Sequence, residues 1–176
     1  MGLTSESTLY KVQTLFDKLF SINSLLDRHV YLLDIKWNMP KYQDYLHHKV
    51  SHRFPLLADR IQEFGSIRGD LFYRGIVPEH KEEYDSVSDL TKSYVMELAE
   101  VEKLCSECIY TAIDNKDLMY EDFIREFEIE VIAPMEKQAV VFYDAIKEYE
   151  KAGDIRKWNK DYTAFILPDS DEKDGD

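Results

Sequence analysis

Residues 9–37, LYKVQTLFDKLFSINSLLDRHVYLLDIKW, place Leu9, Val12, Phe16, Leu19, Asn23, Leu26, Val30, Leu33 and Trp37 at alternating steps of three and four. A 3.6-residue turn returns a side chain to the same face at those steps, so the stretch predicts one long helix with a continuous apolar stripe. Thr4 or Ser5 can cap its start, and Pro40 ends it, because proline has no N–H and drives its predecessor out of the helical region. The same period recurs three more times. Tyr42, Leu46, Val50, Leu57, Ile61, Phe64, Ile67 and Leu71 mark a second helix from about Lys41 to Arg74, with Gly75 as its C-terminal cap and a kink or break near Ser51 to Phe54 imposed by Pro55. Val87, Leu90, Tyr94, Leu98, Val101, Cys105, Cys108 and Ala112 mark a third helix over roughly Glu82 to Ile113. Tyr120, Ile124, Phe127, Val131, Met135, Phe142, Ile146 and Tyr149 mark a fourth, kinked at Pro134 and closed by Gly153.

The connections decide the topology. The first and third are a few residues long and force two antiparallel hairpins. The second is a long crossover between helices two and three if helix two frays after Phe64, and is barely sufficient if that helix runs to Arg74. The expected fold is all-α, a four-helix bundle over residues 1–167 that includes an aromatic extension from Trp158 to Leu167, followed by an acidic disordered tail over 168–176.

Composition narrows the function. The chain of 176 residues carries 35 acidic and 22 basic residues, a formal net charge of −13. That field repels phosphate backbones, which argues against nucleic-acid binding and against DNA as a partner. No apolar run approaches the ~20 residues that cross a bilayer, so no membrane role is expected. The start of the chain reads as neither an export nor a myristoylation signal, and the two cysteines form no disulfide framework, which together predict a cytoplasmic location.

The segment Lys36-Trp37-Asn38-Met39, followed by His48 and His52, resembles the start of the Dps proteins, ferritin-like cages that detoxify iron and protect DNA. Their pattern is a His-Trp pair ending the first helix, a His about a dozen residues on, an Asp one turn later, and an Asp and a Glu further along the second helix. Aligned from Trp37, this chain offers Lys36 for the first His, His48 for the second, His52 for the Asp, Glu63 for the next Asp and Ile67 for the Glu. The resemblance implies a ferritin-like bundle with one long crossover, assembled as a closed homo-oligomer for which a dodecameric cage is one outcome. It also implies a metal site of His48, His52 and Glu63 for iron, with zinc able to substitute, and a ferroxidase role in oxidative stress weakened by the lost ligands. The acidic C-terminus and the absence of an early Lys-rich arm keep DNA binding out of what is carried over.

Read as residues alone, His48 and His52 lie one turn apart on one face and can share a divalent metal. Glu63 lies about three turns, or about 16 Å, beyond His52, so it can join them only from a symmetry mate across an interface. Solvated surface histidines are the alternative, and Lys36 favours it by bringing positive charge. His47 and His29 read as structural. Cys105 and Cys108 lie within a helical period and read as buried packing. Glu97, Glu100, Glu107, Glu128, Glu130 and Glu136 read as a wet face, with Phe127 and Met135 turned inward. The Glu-x-x-His pairs that classical ferritins carry on two helices do not occur in the sequence. The second functional class left open is a metal-free bundle acting as a structural or interaction protein.

Overall fold

The structure is a computed structural model that describes residues 4–168. Helix α1 spans Glu6–Ile35, and its N-cap is Ser5, whose side chain accepts the Thr8 N–H. After a turn that places Asn38 at φ 52°, the second long helix runs from α2 (Pro40–Tyr45) through a π-helical segment (Leu46–Ser51) into α3 (Arg53–Arg68). Pro40 therefore starts this helix as well as ending the approach from α1, since a missing N–H costs nothing in a first turn. Helix α4 is Val87–Asn115. The fourth long helix repeats the pattern of the second: α5 (Leu118–Phe127), a π-helical segment (Glu128–Ile132) and α6 (Ala133–Lys151). Short 3₁₀ turns flank α7 (Trp158–Asp161) at the C-terminal end.

Helix α1 packs along α4 and against α3, and α4 packs against α5 and α6, which gives the two expected antiparallel hairpins. The core they enclose is apolar and includes Leu19, Ile22, Leu26, Phe54, Ile61, Leu98, Val101 and Phe127 at 0% exposure. At ~25 cal/mol per Å² this burial is the main term holding the four helices together.

The second helix ends earlier than its apolar stripe suggests. It stops at Arg68, and Gly69, not Gly75, is the cap, at φ 77° with the Asp70 N–H donating to the Gly65 carbonyl (2.8 Å). Ile67 and Leu71, read as stripe residues, are 78% and 83% exposed. Phe72 instead folds back over Gly65, where a Cβ would lie 2.7 Å from the ring, and stacks on Phe16 at 6.0 Å. Residues 69–86 then form the long crossover, laid along α1. Gln13 makes two hydrogen bonds to the Tyr73 backbone, Lys36 donates to the Tyr84 carbonyl, and Arg28 pairs with Glu83. Helix α4 consequently begins at Val87 rather than near Glu82, with Ser86 as its N-cap.

Two polar devices fasten the ends. Asp117 accepts from the Ser5 and Thr8 hydroxyls (2.7 and 2.6 Å), and Asp70 accepts from Thr4 and Tyr120 (2.7 and 2.9 Å), so both buried carboxylates are satisfied. At the other end the Asn159 Oδ1 accepts the backbone N–H groups of Lys41 and Tyr42, donors that the first turn of α2 leaves without partners. Trp158, fully buried, packs edge-on against Tyr42 and Phe142. The acidic tail expected over 168–176 lies, apart from Pro168, outside the described residues. Among the described residues no helix is long and apolar enough to cross a membrane.

Candidate metal centre

Proline shapes the local backbone of the second helix. Pro55 has no N–H to give the Ser51 carbonyl, and in an unbroken α-helix that carbonyl would be orphaned. Two adjustments resolve it. The preceding turn widens into the π-helical segment, with the His52 N–H reaching back five residues to the His47 carbonyl (3.2 Å). The Ser51 carbonyl then accepts instead from Asn23 Nδ2 on α1 (3.1 Å), while the Ser51 hydroxyl donates to Asp27 (2.8 Å). Asn23, the one polar member of the α1 stripe, is there to satisfy that break. Pro134 follows the second π-helical segment in the same way.

The wide turn changes which side chains meet. At an α-helical period His47 lies off the face shared by His48 and His52. With one extra residue in the turn, all three rings converge. The His47 ring lies 4.6 Å from that of His48 and 4.4 Å from that of His52, and the His48 and His52 rings are 5.3 Å apart. One nitrogen from each lies within 4.8 Å of the others, with His47 half-buried and His48 and His52 exposed. Asp44, one turn earlier, sets its carboxylate 3.4 Å from His48 Nε2. Three imidazoles with an adjacent carboxylate make a donor set suited to borderline first-row divalent ions, and the exposed rings can rotate to close on one.

Of the residues singled out from the sequence, the structure brings His48 and His52 together and adds His47, which had read as structural. Glu63 stands exposed on α3, outside the cluster. Lys36 is engaged with the crossover and over the Trp37 ring at 5.0 Å. The bundle interior offers a different picture. Most inward positions on the four helices are filled by the apolar core described above. His29, also fully buried, accepts or donates through Nε2 to Tyr84 and Ser93 (both 3.1 Å), and burial, helped by the His80 charge, drops its pKa to about 3, so it is a neutral structural ring. Cys105 and Cys108 are buried thiols; burial pushes Cys108 up to about 12 and Cys105 also upward, which leaves neither as a thiolate at neutral pH. Glu128 and Glu136 are held above the usual carboxylate range, first by burial and then by the Glu102 charge. Phe127 and Met135 face inward, as their register requires.

No protein-family model matches the chain, and no curated protein matches it in sequence. Solved structures do match in fold. The fold class is all-α and ferritin-like. An open-pore ferritin from the hyperthermophilic archaeon Archaeoglobus fulgidus superposes with a TM-score of 0.83 at 17% identity, over 96% of this chain and 99% of that one.

Proposed function

We propose that this protein is a ferritin-like subunit that takes up ferrous iron as cargo at an external imidazole site, in the manner of the Dps proteins, rather than at a centre inside the bundle. The observation that carries this reading is the convergence of His47, His48 and His52 on a ferritin-like scaffold. In a closed homo-oligomer, Glu63 from a symmetry mate supplies a carboxylate to the same site, and oxidation of bound ferrous iron by oxygen or peroxide gives the protein a part in limiting oxidative damage. Exposed apolar side chains support assembly: Tyr31 and Ile35 on α1, Ile67 on α3, and Leu71 and Ile76 in the crossover. The site is weaker than a full ferroxidase centre because Ile67 brings no donor, and zinc, which also accepts imidazole, competes for it.

The test is an anaerobic ferrous titration at about pH 7.5, followed by admission of oxygen or peroxide and reading of ferric absorbance. Binding that disappears in the His48→Ala/His52→Ala double variant supports the proposal. A wild type that binds neither ferrous iron nor zinc sinks it. In that event the second reading applies, a structural or interaction bundle, which the large apolar core of the four-helix interior favours.

A further inference from the structure

The second and fourth long helices touch at both ends and part between. At one end the Phe64 and Phe123 rings stack at 4.2 Å, and at the other Tyr45 meets Phe142 at 5.8 Å. Between these contacts lies a groove of about 1090 Å³, with the π-helical residues Leu46 and Val50 on one wall and Ile129 on the other. The buried side chains of Tyr94, Met135 and Ala139 also line it. It is closed at one end by the C-terminal segment, which Gln138 clamps by accepting the Leu167 N–H (2.6 Å) and donating to the Phe165 carbonyl (3.1 Å). Ile129, exposed at 65%, offers the groove an unused aliphatic surface.

The charge around this groove is opposite to that of the molecule. In a chain of net charge −13, the groove is lined by Lys49, Arg53 and Lys137, and among the described residues none of the three has a carboxylate partner. Its one acidic residue, Glu130, is engaged by Arg60 at 3.7 Å. The Arg53 guanidinium lies close enough to the Tyr94 hydroxyl to oppose the rise in pKa that burial imposes there. An apolar trough with unmatched cations along its edge is complementary to a molecule with an aliphatic tail and one negative head.

We propose that the groove between the second and fourth long helices binds a single-chain amphiphilic carboxylate, with the tail against Leu46, Val50, Ile129 and Met135 and the head toward Arg53 and Lys137. This site is separate from the imidazole cluster, except that His48 stands at the edge of both. It does not depend on metal binding.

The experiment uses the full chain with a chelator present, so that the imidazole cluster is bare, and measures octanoate, decanoate and dodecanoate by titration calorimetry below their aggregation limits. The control probe is dodecyltrimethylammonium, which has the same tail and the opposite head. One-to-one binding is expected, tightening by up to about fourfold per methylene. Dodecanoate should bind at least tenfold more tightly than the ammonium probe, although the protein as a whole is strongly acidic. Arg53→Glu should reverse that preference; Lys137→Glu, at an exposed position, should weaken dodecanoate in the same sense should the first variant not fold. Ala133→Trp, filling the groove from an exposed position, should abolish binding. The proposal is overturned by equal or tighter binding of the ammonium probe, by dodecanoate binding that survives Ala133→Trp, or by binding seen only after residues 169–176 are removed, which would make the chain's own acidic segment the occupant.

Discussion

His29 shows what one buried titratable ring does to the pH response of the fold. Its pKa is about 3 in the folded chain, because burial, then the nearby His80 charge, disfavours the imidazolium, whereas an exposed histidine titrates near 6.5. Between those values the unfolded chain binds a proton that the folded chain refuses, so stability falls as pH is lowered from about 6.5 toward about 3. The slope from this ring alone is up to about 1.4 kcal/mol per pH unit. Denaturant melts across pH 7 to 4 should therefore show a shallower acid limb for His29→Gln than for the wild type, whatever the variant's stability at neutral pH. Asn23 is the second instructive residue. Asn23→Leu leaves the Ser51 carbonyl without its donor and should cost about 1–3 kcal/mol, read as a lowered midpoint in urea.

At the level of the helix, the π-helical turn before Pro55 is what gathers the three imidazoles. Pro55→Ala restores an N–H at that position and removes the reason for the wide turn. Metal affinity should drop at least tenfold in calorimetry with zinc, while the thermal midpoint stays level or rises; unchanged affinity would mean that the histidines meet without the wide turn. The four helices and their order were legible in the sequence because each carries a sustained 3.6-residue apolar stripe. The ends were less so. Gly69 stops the second helix because Phe72 needs to pass over Gly65, a tertiary contact that no periodicity records. His47 was missed for a related reason: an α-helical period sets it off the His48 and His52 face, and the signal that could have recovered it is the pairing of Pro55 with a polar Asn23 in an apolar stripe. Glu63 was placed on its helix correctly, but its part in any site depends on a second subunit, which a single chain does not encode by spacing alone.

For the whole molecule, the exposed apolar residues on α1, α3 and the crossover are the surface on which the proposed assembly rests. Light scattering at micromolar concentration should give a mass well above 20.8 kDa, the mass of one chain; a value at the monomer would remove the assembly reading. The chain itself carries a net charge of −13, and the proposed assembly would multiply it. Duplex DNA should therefore migrate unshifted with the protein at about 0.15 M salt and neutral pH, and a clear shift would reveal a basic surface strong enough to overcome that field.

The hydrogen bonds from Lys41 and Tyr42 to Asn159 join positions separated by 118 and 117 residues along the chain. During synthesis the second helix leaves the ribosome long before its cap does. Its first turn lacks that cap until Asn159 and Trp158 arrive, so the Lys41 N–H gains its partner only after the chain has grown by 118 residues. Translation stalled before Trp158 should yield nascent chains that proteases cut near Pro40, and release of a few more residues should close that site.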